Sequence, residues 1–228
     1  MKKIIFGIFA HPDDEAFGPS GALLKATRQG DELHLITFTN GDAGTNPDNI
    51  PDLGSARLEE WKRAGELMSA KTMHFLGYKD GSLSNTILLE ATQKITEIVR
   101  SITESADEDH EVEFMTMDLN GITGHIDHIV AARTACLVFY RLKATNSRFR
   151  RIRLACWPKE AFPVINTDWI FMEPGRSKEE IDETIDARNL QDELKAIIET
   201  HHTQRHDGEN FLAWQGSDLG LCYFLVKS

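Results

Sequence analysis

The chain has 228 residues, enough for one large domain. Hydrophobic residues make up 41% and charged residues 27%, which is too apolar for a disordered chain. The formal net charge of −11 argues against a nucleic-acid binder, which carries a basic footprint, and against docking on an anionic membrane.

Residues 3–10 form a near-continuous apolar run, the pattern of a strand covered on both faces. The run ends at His11-Pro12-Asp13-Asp14-Glu15, where a signal peptide would need small neutral residues. Residues 16–29 read as a helix ended by Gly30, and Glu32–Thr39 as a second strand. The stretch 40–54 is rich in Gly, Pro, Asn and Asp and cannot be regular structure. It follows strand two, on the edge where such sheets bind ligands, and is expected to line a pocket or serve as a lid. A helical pattern then covers 55–70, with Ser55 as its N-cap. Thr72–Leu76 reads as a short strand, 86–104 as a helix, 103–111 as an acidic connector and Val112–Met117 as a strand. A helix over 126–143, a strand over Arg151–Trp157 and a charged helix over 177–202 follow. Leu219–Val226 closes the chain as an antiparallel edge strand.

Repeated βα units predict an α/β fold with a mostly parallel twisted sheet and helices on both faces. No internal repeat or linker interrupts the chain, so residues 1–228 are expected to form one domain. Cys136, Cys156 and Cys222 are scattered, odd in number and form no C-x-x-C pair. They suggest neither a disulfide framework nor a thiolate zinc site. No apolar run reaches the ~18–20 residues of a membrane span. The expected home is a reducing cytoplasm.

Two constellations carry chemistry. The first is His11-Pro12-Asp13-Asp14-Glu15 at the end of the first strand. Adjacent carboxylates repel one another, and a bound cation is one compensation. Proline pre-sets a helical turn in which His11 and Asp14, three apart, can face one metal ion. Asp13 then points elsewhere, within reach of a water at that ion. An N/O donor set suits zinc. The plainer alternative is acidic residues complementing a helix dipole. A dinucleotide site is disfavoured, since there is no G-x-G-x-x-G and the acids would repel a pyrophosphate.

The second constellation, Gly124-His125-Ile126-Asp127-His128, follows strand 112–117 and opens a helix. It therefore falls on the same sheet edge as His11. His125 and His128 can converge, and either one completes a three-ligand set with His11 and Asp14. Three protein ligands plus water is the open form of zinc that performs chemistry. Asp127 is placed to hold one imidazole in position and keep it protonated.

These residues resemble the PIG-L/LmbE-like zinc deacetylases, a family with a Rossmann-like three-layer fold. HPDDE at 11–15 paired with HxDH at 125–128 is the specific part. Weaker pieces extend the likeness. They are Thr39-Asn40-Gly41-Asp42-Ala43-Gly44, the Arg57-x-x-Glu60 helix, Leu76-Gly77-Tyr78-Lys79-Asp80-Gly81, and Lys195 through His201-His202-Thr203-Gln204. The chain departs from the family pattern at Ile126, usually proline, at Thr123, where some members carry tyrosine, and at Thr203, commonly serine.

The resemblance implies zinc held by His11, Asp14 and His128, with Asp13 as general base. Ferrous iron suits the same donors. It implies His125, held protonated by Asp127, as donor to the oxyanion, and removal of an acetyl group from an N-acetylglucosamine-type substrate. Hydrolysis of another acylated small molecule, and a non-catalytic metal- or sugar-binding protein, are the alternatives. A homo-oligomer is expected from the resemblance only. Arg57 is expected either to bind substrate or to pair with Glu60. Asp80 is expected to bind a sugar hydroxyl or to serve an Asp-Gly turn. Trp157, Phe162 and Trp214 stack on a sugar or pack in the core. His201, His202 and His206 suggest a second metal less well than helix-end cations or substrate-side groups. The segment from about 160 to 228 is expected on the substrate side.

Overall fold

The structure, a computed structural model, describes residues 2–107, 109–161 and 175–228. Phe162, one of the aromatic candidates, lies outside the described residues. Seven strands form one sheet in the order β3-β2-β1-β4-β5-β7-β6. They are β1 (Lys3–Phe9), β2 (Glu32–Thr39), β3 (Thr72–Tyr78), β4 (Glu111–Met117), β5 (Phe149–Cys156), β6 (Glu183–Asp186) and β7 (Leu221–Lys227). Strands β1 to β5 run parallel, and β7 pairs antiparallel with both β5 and β6.

Alternation along β1 sends its side chains to two cores. Ile4, Phe6 and Ile8 pack under α4 (Leu88–Glu104) and α6 (Ile126–Lys143). Ile5 and Phe9 pack under α2 (Ser20–Arg28), α3 (Leu53–Leu67) and α7 (Gln191–Thr200). This is the predicted parallel sheet with helices on both faces.

Three readings need correction. The first helix is broken into α1 (Asp14–Phe17) and α2 at Gly18-Pro19, because proline cannot continue the hydrogen-bond ladder. The cap of α3 is Asp52, whose side chain accepts from the Ser55 N–H at 3.0 Å; Ser55 is inside the helix. The stretch 177–202 is not one helix. It contains β6 and then α7, with Arg188–Leu190 as a 3-10 turn between them. β6 is four residues long and carries Glu183 and Asp186, as befits an edge strand protected from further pairing. β7 is consequently second from the edge. A further helix, α8 (Arg205–Gln215), was not anticipated. Among the described residues no helix is long and apolar enough to cross a membrane.

The strand order reverses between β1 and β4, so a crevice opens at their carboxyl ends. His11 to Glu15 lie directly after β1, and α5 (Gly121–Gly124) with the start of α6 follows β4. Topology alone therefore brings together two segments more than 100 residues apart.

Candidate metal centre

The turn after β1 is held in an uncommon shape. Asp13 has φ 106°, a left-handed conformation that L-residues avoid. Its carbonyl accepts from the N–H groups of Ala16 and Phe17, both at 2.8 Å, and its own N–H donates to Glu15 Oε2 at 3.2 Å. Across the crevice, β-branched Ile122 has φ 68° at the centre of the tight turn that aims His125 and His128.

Asp14 is locked by its Oδ2, which accepts from the N–H groups of Ala10 (3.0 Å) and His11 (2.9 Å). Its Oδ1 lies 3.1 Å from His128 Nε2. His128 Nδ1 is 3.2 Å from the Gly121 carbonyl, which can only accept, so this nitrogen carries the proton and Nε2 presents a lone pair. The same logic applies to His11. Its Nε2 lies 3.0 Å from Asp80 Oδ1 and 3.5 Å from Asp127 Oδ2, so Nε2 donates and, in the neutral ring, Nδ1 presents its lone pair. The two lone-pair nitrogens are 3.1 Å apart, and His11 Nδ1 is 3.6 Å from Asp14 Oδ2. A tetrahedral ion ~2.0–2.1 Å from each donor sets donor edges of roughly 3.3 Å. The donor set fits such an ion.

His125 is close as well. Ring nitrogens of His11, His125 and His128 lie within 4.8 Å of one another, so these side chains could hold a metal ion. His11, Asp80 and Asp127 meet the same criterion, but their carboxylates are occupied by backbone donors. Asp80 accepts from Ala43 (2.8 Å) and Gly81 (2.8 Å), and Asp127 from Gly81 (2.9 Å) and Leu83 (3.0 Å). Both stand behind the His11 imidazole and fix its tautomer and ring orientation, as carboxylates do behind imidazoles in metal sites.

Charge reflects this crowding. Burial opposes a proton on His11, yet the carboxylates of Asp127, Asp14 and Asp80 outweigh it and hold its pKa well above the ordinary value. Burial lifts Asp13 to about 6, with the Arg57 cation pulling the other way. Asp80 sits at about 2, because burial is overcome by its hydrogen bond and charge interaction with His11. For His125, burial and the neighbouring His128 and His11 push the pKa down, outweighing Asp127. Asp127 raises His125 against these, while its own oxygens hold the loop at Gly81–Leu83 and back His11.

Arg57, 5% exposed, donates to Asp13 Oδ2 (2.8 Å), to the Pro12 carbonyl (2.8 Å) and to the Gly41 carbonyl (2.7 Å). The expected pair with Glu60 is absent among the described residues. Glu60 instead accepts from the Thr203 N–H (3.0 Å) and hydroxyl (2.7 Å). Gly41 and Gly44 let the loop close over the guanidinium; a Cβ at either would lie 2.5 Å or less from its atoms. Asp80 follows the turn reading through Gly81 and has the further contact with His11.

His201 is buried and bonds Glu15 Oε1 at 2.9 Å, tying α1 to the C-terminal segment. His202 and His206 are exposed, and the three form no metal-holding group among the described residues. Trp157 is buried and Trp214 half-buried, with ring centroids 5.8 Å apart. Asp207, Phe17 and Phe211 border the site and escaped the sequence reading. Phe211 and Trp214, three apart on α8, were the available signal.

Fold and site together describe an α/β protein with a His/Asp cluster able to hold a metal ion at the carboxyl edge of its sheet. The family model for PIG-L, GlcNAc-PI de-N-acetylase, matches residues 6–139, more than half of the chain, and the chain belongs to that family. A diacetylchitobiose deacetylase of Thermococcus kodakarensis is 33% identical over 102 residues, 44% of this chain. The chain spans 37 to 52% of the length of the first curated relatives it matches.

Among solved structures, N,N'-diacetylchitobiose deacetylase from Pyrococcus horikoshii superposes with TM-score 0.68 at 18% identity, covering 99% of this chain and 83% of that one. GalB, the 4-carboxy-2-hydroxymuconate hydratase of Pseudomonas putida, superposes with TM-score 0.67 at 15% identity, covering 100% and 97%. These likenesses are of fold. One fold carrying two reactions means that the chemistry has to be argued from the site.

Proposed function

We propose that the protein is a metal-dependent hydrolase that removes the acetyl group from an N-acetylated amino sugar. One observation carries this reading. The near nitrogens of two imidazoles, His11 Nδ1 and His128 Nε2, lie 3.1 Å apart beside an Asp14 oxygen, while each far nitrogen is bonded to a protein acceptor. Two imidazole nitrogens and a carboxylate oxygen facing one point form a site for a cation.

His11 Nδ1, His128 Nε2 and Asp14 are the proposed ligands, and zinc, with ferrous iron as a second fit, is the proposed ion. When bound, such an ion polarises a carbonyl and makes a neighbouring water easier to deprotonate at neutral pH. His128 is preferred over His125 as third ligand because it lies 3.1 Å from both His11 and Asp14.

The chain's own groups do the rest. Asp13, beside the ligands but turned to Arg57, takes the proton from water as its oxygen attacks the amide carbon. The C–N bond breaks, and Asp13 returns the proton to the departing nitrogen. His125 donates its N–H to the developing oxyanion. Arg57 fixes the Asp13 carboxylate, and Asp80 and Asp127 fix His11. Asp80 and Arg57 both line the polar cavity over the site, where a sugar hydroxyl reaches them. The relatives named as deacetylases of N-acetylated sugars support the substrate class. The cytoplasm is the proposed compartment.

The test is acetate release from N-acetylglucosamine derivatives by metal-loaded protein, with and without a chelator. Release that stops on chelation and returns with zinc or ferrous iron supports the reading; no release from any such amide removes it. Asp13→Ala is expected to keep the ion and lose hydrolysis. If it hydrolyses as fast as the parent, the base is another group.

A further inference from the structure

Two cavities of opposite character meet at the proposed ion position. One, about 380 Å³, is lined by Asp13, Arg57, Asp80, His125 and Asp207. It shares His125, Asp207 and the loop at Ala43–Gly44 with a wider opening of about 790 Å³. The other, about 350 Å³, is walled by Phe17, Met117, Ile122, Trp157, Phe211 and Trp214. Asp14, Phe17 and His128 border both the polar cavity and the apolar one.

The apolar walls form a continuous aromatic surface. Ring centroids are 5.6 Å apart for Phe17 and Phe211, 5.7 Å for Phe211 and Trp214, and 5.8 Å for Trp214 and Trp157. The Trp214 N–H donates to the Ala161 carbonyl at 2.5 Å, so its polar group is spent on protein.

An amide at the ion has two arms. Its nitrogen must receive a proton, and both groups able to handle one, Asp13 and His125, line the polar cavity and not the apolar one. The nitrogen and the sugar it carries therefore lie on the polar side. The substituent on the carbonyl carbon points the opposite way. A methyl group, comparable with a water's ~30 Å³ share of liquid, leaves most of that room empty. Pockets for whole small ligands begin at about 300 Å³.

We infer that the apolar cavity is an acyl-chain site, and that the enzyme's N-acyl substrates extend beyond acetyl to apolar acyl groups of medium length. This rests on the hydrolase reading above. The reaction is the same hydrolysis: the water oxygen joins the carbonyl carbon, the C–N bond breaks, the amine takes the proton, and a medium-chain carboxylate leaves in place of acetate.

The experiment has two arms on metal-loaded protein. In the first, kcat/KM is compared for N-octanoylglucosamine and N-acetylglucosamine. Each buried methylene contributes up to about fourfold, so the octanoyl substrate is expected to be preferred by at least tenfold. Phe211→Ala, on half-exposed α8, is expected to lower that octanoyl-to-acetyl ratio about tenfold. In the second arm, calorimetry compares octanoate with acetate as ligands, independent of turnover. Octanoate is expected to bind at least tenfold tighter, with a change in tryptophan emission from Trp157 and Trp214. Cleavage of the acetyl but not the octanoyl amide, with octanoate no tighter than acetate, overturns the acyl site and leaves the hydrolase reading standing. If neither amide is cleaved, the hydrolase reading falls, and equal binding of the two carboxylates overturns the acyl site by itself.

Discussion

Charge is buried at both ends of the sheet, but it is balanced differently. At the amino end, Glu113 is fully buried and meets Lys3 at 3.3 Å, Arg151 at 3.2 Å and Arg153, which also pairs with Glu183 at 2.6 Å. That cluster supplies its own cations. At the carboxyl end, Asp14, Asp80 and Asp127 are bridged by no Lys or Arg among the described residues; they rely on histidines and backbone N–H groups. The arginine beside them, Arg57, is committed to Asp13. A self-neutralised cluster belongs to folding. A cluster whose carboxylates are compensated by histidines can exchange those protons for a cation.

The sharpest way to break this contrast is at Asp13. Asp13→Asn keeps the hydrogen-bond shape and removes the proton acceptor, so kcat on an N-acetylglucosamine derivative is expected to fall ~10²–10⁴-fold with ion binding retained. A steady-state assay with metal analysis checks both halves. At the other end, Glu113→Gln leaves buried Arg153 short of a counter-charge. Stability is expected to fall by about 3 kcal/mol in urea titrations, with the ion affinity unchanged.

Asp14→Asn should act mainly on the ion. Its oxygen can still accept from Ala10 and His11, and the amide can donate toward the His128 lone pair. The metal-free variant loses the attraction of Asp14 for His11 and His128 and is expected to be somewhat less stable than the metal-free parent, and to gain nothing from added zinc in thermal melts. Stabilisation by zinc equal to the parent's would contradict the charge argument.

The smallest effect concerns His34, buried at the amino end between Phe6 and Thr72. Burial pushes its pKa down to about 4, against 6.5 for a free imidazole. The unfolded chain therefore binds this proton first, and the group costs stability as pH falls from about 6.5 toward 4. The urea midpoint is expected to drop over that window, and to drop less in His34→Gln.

Much of the fold was legible because local pattern decides it. The buried strands read as apolar runs, and HPDDE and HxDH lie at strand ends whatever the details of packing. What escaped depends on partners distant in sequence. Glu183-Thr184-Ile185-Asp186 looks helical among its charged neighbours and becomes a strand because β7 offers it an open edge. Residues 205–215 contain Gly208, which weakens a helical pattern, and they form α8 with Phe211 turned to Phe17. The spacing of Arg57 and Glu60 suggested a pair, but folding gives Arg57 to Asp13 and Glu60 to Thr203. Asp127 sits beside His125 in sequence and backs His11 in space.

The most direct test is a calorimetric titration of metal-free protein with zinc. One ion per chain is predicted, with affinity reduced at least ~100-fold in His128→Ala and in His11→Ala. A parent protein that takes up no ion, or variants that bind it as tightly as the parent, would contradict the account.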